Sequence, residues 1–173
     1  MKPDIRHRHR RAAGLAFVLA VLLATSAAAE KPRIAVFSFE LIDTSLEGEL
    51  SGPRADEQAR LIAISDQLRR QLTESDRYTL IDIAPSRERI ESASPLHGCN
   101  GCEADIAQDL GAEISMAGTV QKVSNLILNI NLYMRDATTG KLLGTFSVDI
   151  RGNTDASWSR GVSYIIRNRL LDE

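Results

Sequence analysis

The fold of this chain is decided by residues 114–136, ISMAGTVQKVSNLILNINLYMRD. Two strand-like runs, residues 114–123 and 126–136, flank the pair Ser124-Asn125. In the second run an apolar series alternates strictly with a more polar one. The apolar series is Leu126, Leu128, Ile130, Leu132 and Met134; the other is Ile127, Asn129, Asn131, Tyr133 and Arg135. Because successive side chains of a strand point to opposite faces, this period predicts a strand with one buried face and one largely polar face.

Further strands and helices are expected on both sides of this segment. Short apolar runs at residues 34–39, 78–83 and 142–150 predict three more strands. Amphipathic segments predict helices at residues 54–72, 103–110 and 155–171, of which the first places Leu61, Ile64, Leu68 and Leu72 on one stripe. The order β-α-β-α-β-β-β-α predicts an α/β (α+β) domain, with a mixed five-stranded sheet and helices mainly on one face.

Two segments have the composition of connections. Residues 84–98 are rich in Pro, Ser, Arg and Glu and predict an irregular crossover with about one helical turn near residues 87–91. Residues 40–52 predict an exposed loop with four carboxylates, Glu40, Asp43, Glu47 and Glu49. They lack the alternating acids and central glycine of a calcium-binding EF-hand loop, so we interpret the segment as a solvated acidic loop.

The first 29 residues have the order of a secretory signal peptide. Residues 2–11 carry five basic side chains and one acidic one, residues 12–23 are apolar, and Ala27, Ala28 and Ala29 follow. The apolar run is too short for the roughly 20 residues that a helix needs to cross a bilayer. We therefore predict cleavage after Ala29, a single periplasmic domain at residues 30–173, and no stable membrane insertion after cleavage.

The charge and composition of the mature chain exclude several classes of function. The full chain has 21 basic and 23 acidic side chains, and residues 1–29 hold five of the basic ones and one of the acidic ones. The mature chain therefore has a net charge of −6, which argues against nucleic-acid binding. His97 is the one histidine left, so a Ser-His-Asp triad is improbable. No glycine-rich phosphate loop follows the first strand. We expect no catalytic residues and no cofactor.

Cys99-Asn100-Gly101-Cys102 admits three interpretations. Two cysteines three positions apart in an oxidising compartment favour a local disulfide that pins the start of the next helix. A redox-active pair at a helix N-terminus is the second, although Glu103 would raise a thiol pKa. A metal site formed by His97, Cys99 and Cys102, with Glu103 as a fourth ligand, is the third. Covalent haem attachment is excluded because Glu103 stands where it requires a histidine.

A row of polar side chains on one strand is the candidate contact surface. Asn129, Asn131, Tyr133 and Arg135 share one face of the predicted strand. Such a row is typical of the solvated face of an antiparallel sheet. Tyr and Arg are also enriched in protein interfaces, and a sheet with helices on one side leaves its other face free for a partner.

Several segments resemble a known family. They are IAVFSFELIDTS, RADEQARLIAISDQL, CNGCEADIAQDLGAEISMAGTVQKVSNLILNINLYMRDATTGK and RGNTDASWSRGVSYIIRNRLL. Together they resemble a small bacterial secreted family catalogued as a domain of unknown function. More distantly, the chain is similar to the N-terminal domain of TolB and to the curli secretion lipoprotein. That resemblance implies an α/β fold used for assembly and protein contacts, and it assigns no catalytic residues.

Two hypotheses of function follow. The first is a non-catalytic periplasmic domain that binds an envelope protein or a small ligand through the polar sheet face or the acidic loop. The alternative is a thiol-redox or metal-handling protein that uses Cys99 and Cys102.

The signal peptide makes a direct prediction. Protein recovered from the soluble periplasmic fraction should begin at or near Glu30, because the small residues at 27–29 suit signal peptidase. Intact mass spectrometry measures this. A membrane-associated protein that retains residues 1–29 would contradict it.

Overall fold

The computed structural model describes residues 30–172, and the proposed signal peptide lies outside them. The strands are β1 (Arg33–Val36), β2 (Glu40–Asp43), β3 (Thr79–Ile81), β4 (Ile114–Lys122), β5 (Ile127–Asp136) and β6 (Leu142–Arg151). The helices are α1 (Leu46–Ser51), α2 (Ala55–Ser75), α3 (Arg87–Ala93), α4 (Cys102–Asp109) and α5 (Asp155–Ile165). A π turn, Ile166–Leu170, continues α5, and 3₁₀ turns lie at Ala84–Ser86 and Leu96–Gly98. No helix of this part of the chain is long and apolar enough to cross a membrane.

The predicted mixed sheet and α/β class are confirmed. The strand order is β3-β1-β4-β5-β6, and β2 also pairs with β4. β1, β2, β3 and β4 run parallel, whereas β4, β5 and β6 form an antiparallel meander. The sequence anticipated this change of pairing, since helices connect the first strands and short turns connect the last three.

The sheet has six strands instead of the predicted five. Residues 40–52, which we interpreted as a loop, contain β2 and α1. β1 pairs with β4 as far as Val36, which lies opposite Met116, and β2 resumes the pairing at Glu40, which lies opposite Thr119. Three residues on one side therefore span two on the other. The phenyl ring of Phe39 fills the bend by lying on Gly118, where a Cβ would collide with it. β2 alternates charged and apolar residues and is only half-buried, so it does not contain the apolar run that identified the other strands.

Helices α2 and α5 cover one face of the sheet, as predicted. Leu61, Ile64, Leu68 and Leu72 of α2 are all buried, and so is Trp158 of α5. They pack against Ile34, Met116, Val120, Leu128, Ile130 and Leu132 from the strands. On the opposite face, α4 and the crossover bury a smaller cluster that includes Phe37, Leu96 and Ile106. This second cluster covers β1 and part of β4, so the polar face of β5 and β6 stays uncovered.

A buried lysine closes one end of the main core. Lys122, the last residue of β4, is completely buried. Its Nζ lies 2.7 Å from Glu57 Oε1, 3.0 Å from Asp43 Oδ2 and 3.1 Å from Glu47 Oε2. Glu57, from the first turn of α2, is also buried and accepts a 2.6 Å hydrogen bond from Asn153. One ammonium group therefore joins β4 to β2, α1 and α2.

The protonation of this cluster follows from its contacts. Burial alone would lower the pKa of Lys122, but hydrogen bonds to Glu57, Asp43 and Glu47 outweigh it and raise the pKa above the ordinary value. Burial likewise would raise the pKa of Asp43, and hydrogen bonds from Ser45 and Lys122 reverse this and lower it. The lysine is therefore charged and Asp43 ionised at neutral pH.

We predict that Lys122→Ala lowers the free energy of unfolding by about 3–5 kcal/mol, because it leaves the buried carboxylate of Glu57 without a counter-charge. Urea unfolding at neutral pH measures the loss, with the exposed Lys141→Ala as the control. Since the pKa of Lys122 is raised from 10.5, its contribution is present below that pH and is lost as the pH rises through the raised value. A Lys122→Met variant should lack this alkaline loss. Equal stabilities of Lys122→Ala and the control would show that Lys122 does not stabilise the fold through these ion pairs.

Candidate functional site

A cleft of about 250 Å³ opens on the polar face of the sheet. Its floor is formed by residues of β2, β4 and β5, and its wall by the loop between α3 and α4. The lining residues are Ser38, Glu40, Ile42, Leu96, His97, Asn100, Gly101, Glu103, Ala117, Gly118, Thr119, Tyr133 and Arg135. The structure thus brings the loop that carries the cysteines next to the polar strand that we singled out as a contact surface.

Glu40 anchors the wall of the cleft to the sheet. Its Oε1 accepts a 2.7 Å hydrogen bond from the backbone N–H of Leu96, and its Oε2 a 2.9 Å bond from that of His97. The Nδ1 atom of His97 lies 2.7 Å from the same Oε2. With Nδ1 against the carboxylate, Nε2 is the ring nitrogen left for a ligand. The imidazole is thereby held in one orientation at the mouth of the cleft.

Arg135 and Glu103 form the other fixed pair of the site. Arg135 Nε donates to Glu103 Oε1 over 3.0 Å, and its NH1 atom donates to the carbonyl of Gly140. Glu103 belongs to the first turn of α4 and is buried. Arg135 therefore ties α4 to β5, and its guanidinium is already partly engaged within the protein.

Cys99 and Cys102 are joined by a disulfide in the structure. The bond spans Asn100 and Gly101, which have positive φ angles of 57° and 108°, and it ends at the first residue of α4. Only glycine and asparagine adopt such angles routinely, so CNGC is suited to this tight turn. The disulfide thereby shapes the wall of the cleft.

The weaker metal hypothesis is not supported by the geometry. Ligand atoms of Cys99, Cys102 and Glu103 lie within 4.8 Å of one another, but His97 is not in that group, because its ring contacts Glu40. The two sulfurs are bonded to each other, so they would have to be reduced before they held an ion. A His97, Cys99 and Cys102 site therefore requires a different loop conformation.

The predicted contact row divides into two parts. Tyr133 and Arg135 line the cleft, whereas Asn129 lies beyond it and donates to Ser147 and Asp149 of β6. Asn131, between them, is half-buried in the middle of the row. Sequence reasoning missed the roles of Glu40 and Glu103 in this site. Their partners are 56 and 32 residues away in the chain, and no local pattern signals such contacts.

The cleft is equipped for hydrogen bonding over an apolar floor. Ile42, Leu96, Ala117 and Gly118 contribute apolar surface, while Asn100, Thr119 and Tyr133 contribute polar groups. Both carboxylates of the cleft already have cationic or N–H partners. An arrangement of this size and polarity suits a small polar ligand or one or two side chains of a partner protein.

Comparison with known families agrees with the resemblance noted in the sequence. Residues 32–170 match the model of a family described as "Protein of unknown function (DUF2380)". The chain belongs to this family. No curated protein matches the chain.

Solved structures share the fold at low sequence identity. The C-terminal domain of LpoB from Escherichia coli is 14% identical, with a TM-score of 0.52, and the match covers 75% of this chain and 89% of that domain. The Salmonella enterica LpoB domain is 15% identical, with a TM-score of 0.50 and coverages of 73% and 87%. TolB from Acinetobacter baumannii scores 0.44 at 14% identity, and the match covers 82% of this chain and 28% of TolB. The LpoB domains show that this α/β fold occurs in other bacterial proteins.

We predict that Glu40→Gln loosens the wall of the cleft. Each carboxylate oxygen accepts one backbone N–H, so an amide nitrogen in place of either oxygen leaves a donor facing a donor. The free energy of unfolding should fall by about 1–3 kcal/mol, measured by urea denaturation. Exposed Glu49→Gln is the matched control. A difference within the roughly 0.5 kcal/mol of ordinary surface substitutions would show that Glu40 does not hold the loop.

Proposed function

We propose that this family member is a non-catalytic periplasmic domain that binds an envelope protein or a small envelope ligand through the cleft and the polar face of β5. In this proposal residues 1–29 direct export and are removed, and residues 30–173 form a single domain. The observation that carries it is the juxtaposition of the CNGC loop and Tyr133 around one cleft.

The construction of the cleft supports binding more than chemistry. Its charged groups serve to position the wall: Glu40 holds the turn at Leu96 and His97, and Arg135 holds Glu103. Tyr133 and Asn100 line the same cleft and contribute polar groups to it. Aromatic side chains at the centre of a rigid, partly apolar surface are favoured as energetic centres of protein interfaces.

The alternative of thiol or metal chemistry has less support. The paired cysteines shape the turn, and the histidine ring is turned towards Glu40. In the binding proposal the disulfide keeps the wall in its binding conformation. Its replacement by serines should therefore weaken binding only as far as it loosens the loop.

Affinity capture from envelope extract tests the proposal. Tagged mature protein and a Tyr133→Ala variant are compared by quantitative mass spectrometry, and the partner recovered with the parent protein should be reduced at least tenfold with the variant. Tyr133 is preferred over Arg135 as the probe, because Arg135→Ala would also strip the buried Glu103 of its partner.

The control for this experiment is Ile62→Ala, since Ile62 is exposed on α2, in the layer that covers the other face of the sheet. It should leave capture unchanged, and all variants should melt cooperatively above the assay temperature. Unchanged capture by a folded Tyr133→Ala protein would refute the proposed binding surface.

A further inference from the structure

The outer edge of the sheet is a long strand with unpaired backbone groups. β6 lies at the end of the strand order and spans ten residues, Leu142–Arg151. Among the described residues, β6 pairs with β5 alone. Its sequence, LLGTFSVDIR, contains neither proline nor lysine, two residues that commonly prevent edge strands from pairing.

The register of the ladder shows which backbone groups point outward. Gly152 N–H donates to Leu126 C=O over 3.0 Å, and the antiparallel ladder alternates from this bond. Ile150, Val148 and Phe146 therefore direct their N–H and C=O groups to β5. Thr145, Ser147 and Asp149 direct theirs to the open side. These three residues form a ready template for another strand.

An apolar shelf lies beside this edge, between β6 and α5. Its apolar part is formed by Val148, Ile150, Gly161 and Tyr164, and it is bordered by Asp149, Arg151, Ser157 and Arg160. Tyr164 is 44% exposed, and Phe146 and Val148 are only half-buried although they point to the helix layer. The main core is thus left open along β6. A strand added here would bury its alternate side chains on the shelf.

We propose that a second copy of this chain covers the edge, by antiparallel pairing of the two β6 strands about a two-fold axis at Ser147. In this register Thr145 faces Asp149 of the second copy, and Phe146 faces Val148 of the second copy. The central residues Thr145, Ser147 and Asp149 thus meet polar residues on one face, and Phe146 and Val148 meet apolar residues on the other. Each facing pair among Thr145, Ser147 and Asp149 exchanges two backbone hydrogen bonds.

Charge and the length of the paired segment favour this register. Moving the axis by two residues, to Asp149, would place two aspartates directly opposite each other, and like charges facing each other destabilise a strand pair. Moving it by one residue, to Val148, would pair only residues 145–151 of β6, whereas an axis at Ser147 pairs residues 143–151. With Ser147 on the axis, Asp149 instead faces a hydroxyl group and Arg151 faces Leu143. The strand is therefore complementary to itself with Ser147 on the axis, as a two-fold interface requires.

Light scattering coupled to size-exclusion chromatography tests the proposal on the mature chain, residues 30–173. The parent protein should have twice the mass of one chain at high concentration. Ser147→Pro removes an N–H that points outward, so the internal ladder is retained while the mass falls to that of one chain. Both variants lose the hydrogen bonds between the Ser147 hydroxyl and Asn129, but Ser147→Ala keeps the backbone N–H. Ser147→Ala should therefore remain dimeric.

Cross-linking provides a measurement that does not depend on Ser147→Pro folding. A Ser147→Cys variant should form a disulfide-linked dimer under mild oxidation, because paired residues on the axis have Cα atoms about 5.5 Å apart. Asp149→Cys, which faces Thr145, should not. A monomeric parent protein, a dimer that persists in folded Ser147→Pro, or equal cross-linking by both cysteine variants would each overturn the proposal. A single chain carries the complete cleft, so these outcomes do not decide whether the cleft binds a partner.

Discussion

The arrangement of this domain depends on the buried ammonium group of Lys122. It joins the last residue of β4 to side chains of β2, α1 and the start of α2. Burying a lysine and a glutamate together is costly unless each is compensated. Here Glu57 Oε1 has both Lys122 and Asn153 as partners, whereas the buried Oε2 has none among the described residues. The charged cluster sets where the helix layer begins, and the apolar stripe of α2 supplies the packing energy beyond it.

The same end of the sheet determines the position of the cleft. β2 rejoins β4 only after the bend at Phe39, and the register there turns Leu41 and Asp43 to the helix layer and Glu40 and Ile42 to the opposite face. Glu40 can then hold the loop that carries His97, while Asp43 binds Lys122. One short strand thus serves both the core and the candidate site.

The sequence predicted most of the elements because their signals are local. The alternation of Leu128, Ile130 and Leu132 identified the buried face of β5, and the stripe of α2 identified its inward side. β2 and the partners of Glu40 and Glu103 escaped prediction for one physical reason. Their charged groups are hydrogen-bonded to residues distant in the chain, so the sequence resembles a solvated loop where the structure is half-buried.

The two faces and the edge of β6 are linked by geometry. A two-fold axis at Ser147, perpendicular to the sheet, would continue the sheet from one copy into the next and place both polar faces on the same side. Both clefts would then open on one continuous surface, and the α5 helices would lie side by side on the other. A partner with two binding segments would occupy both clefts, and after the first segment had bound, the second would bind at a high effective concentration. Pairing through β6 would thereby strengthen binding in the cleft without adding any contact to it.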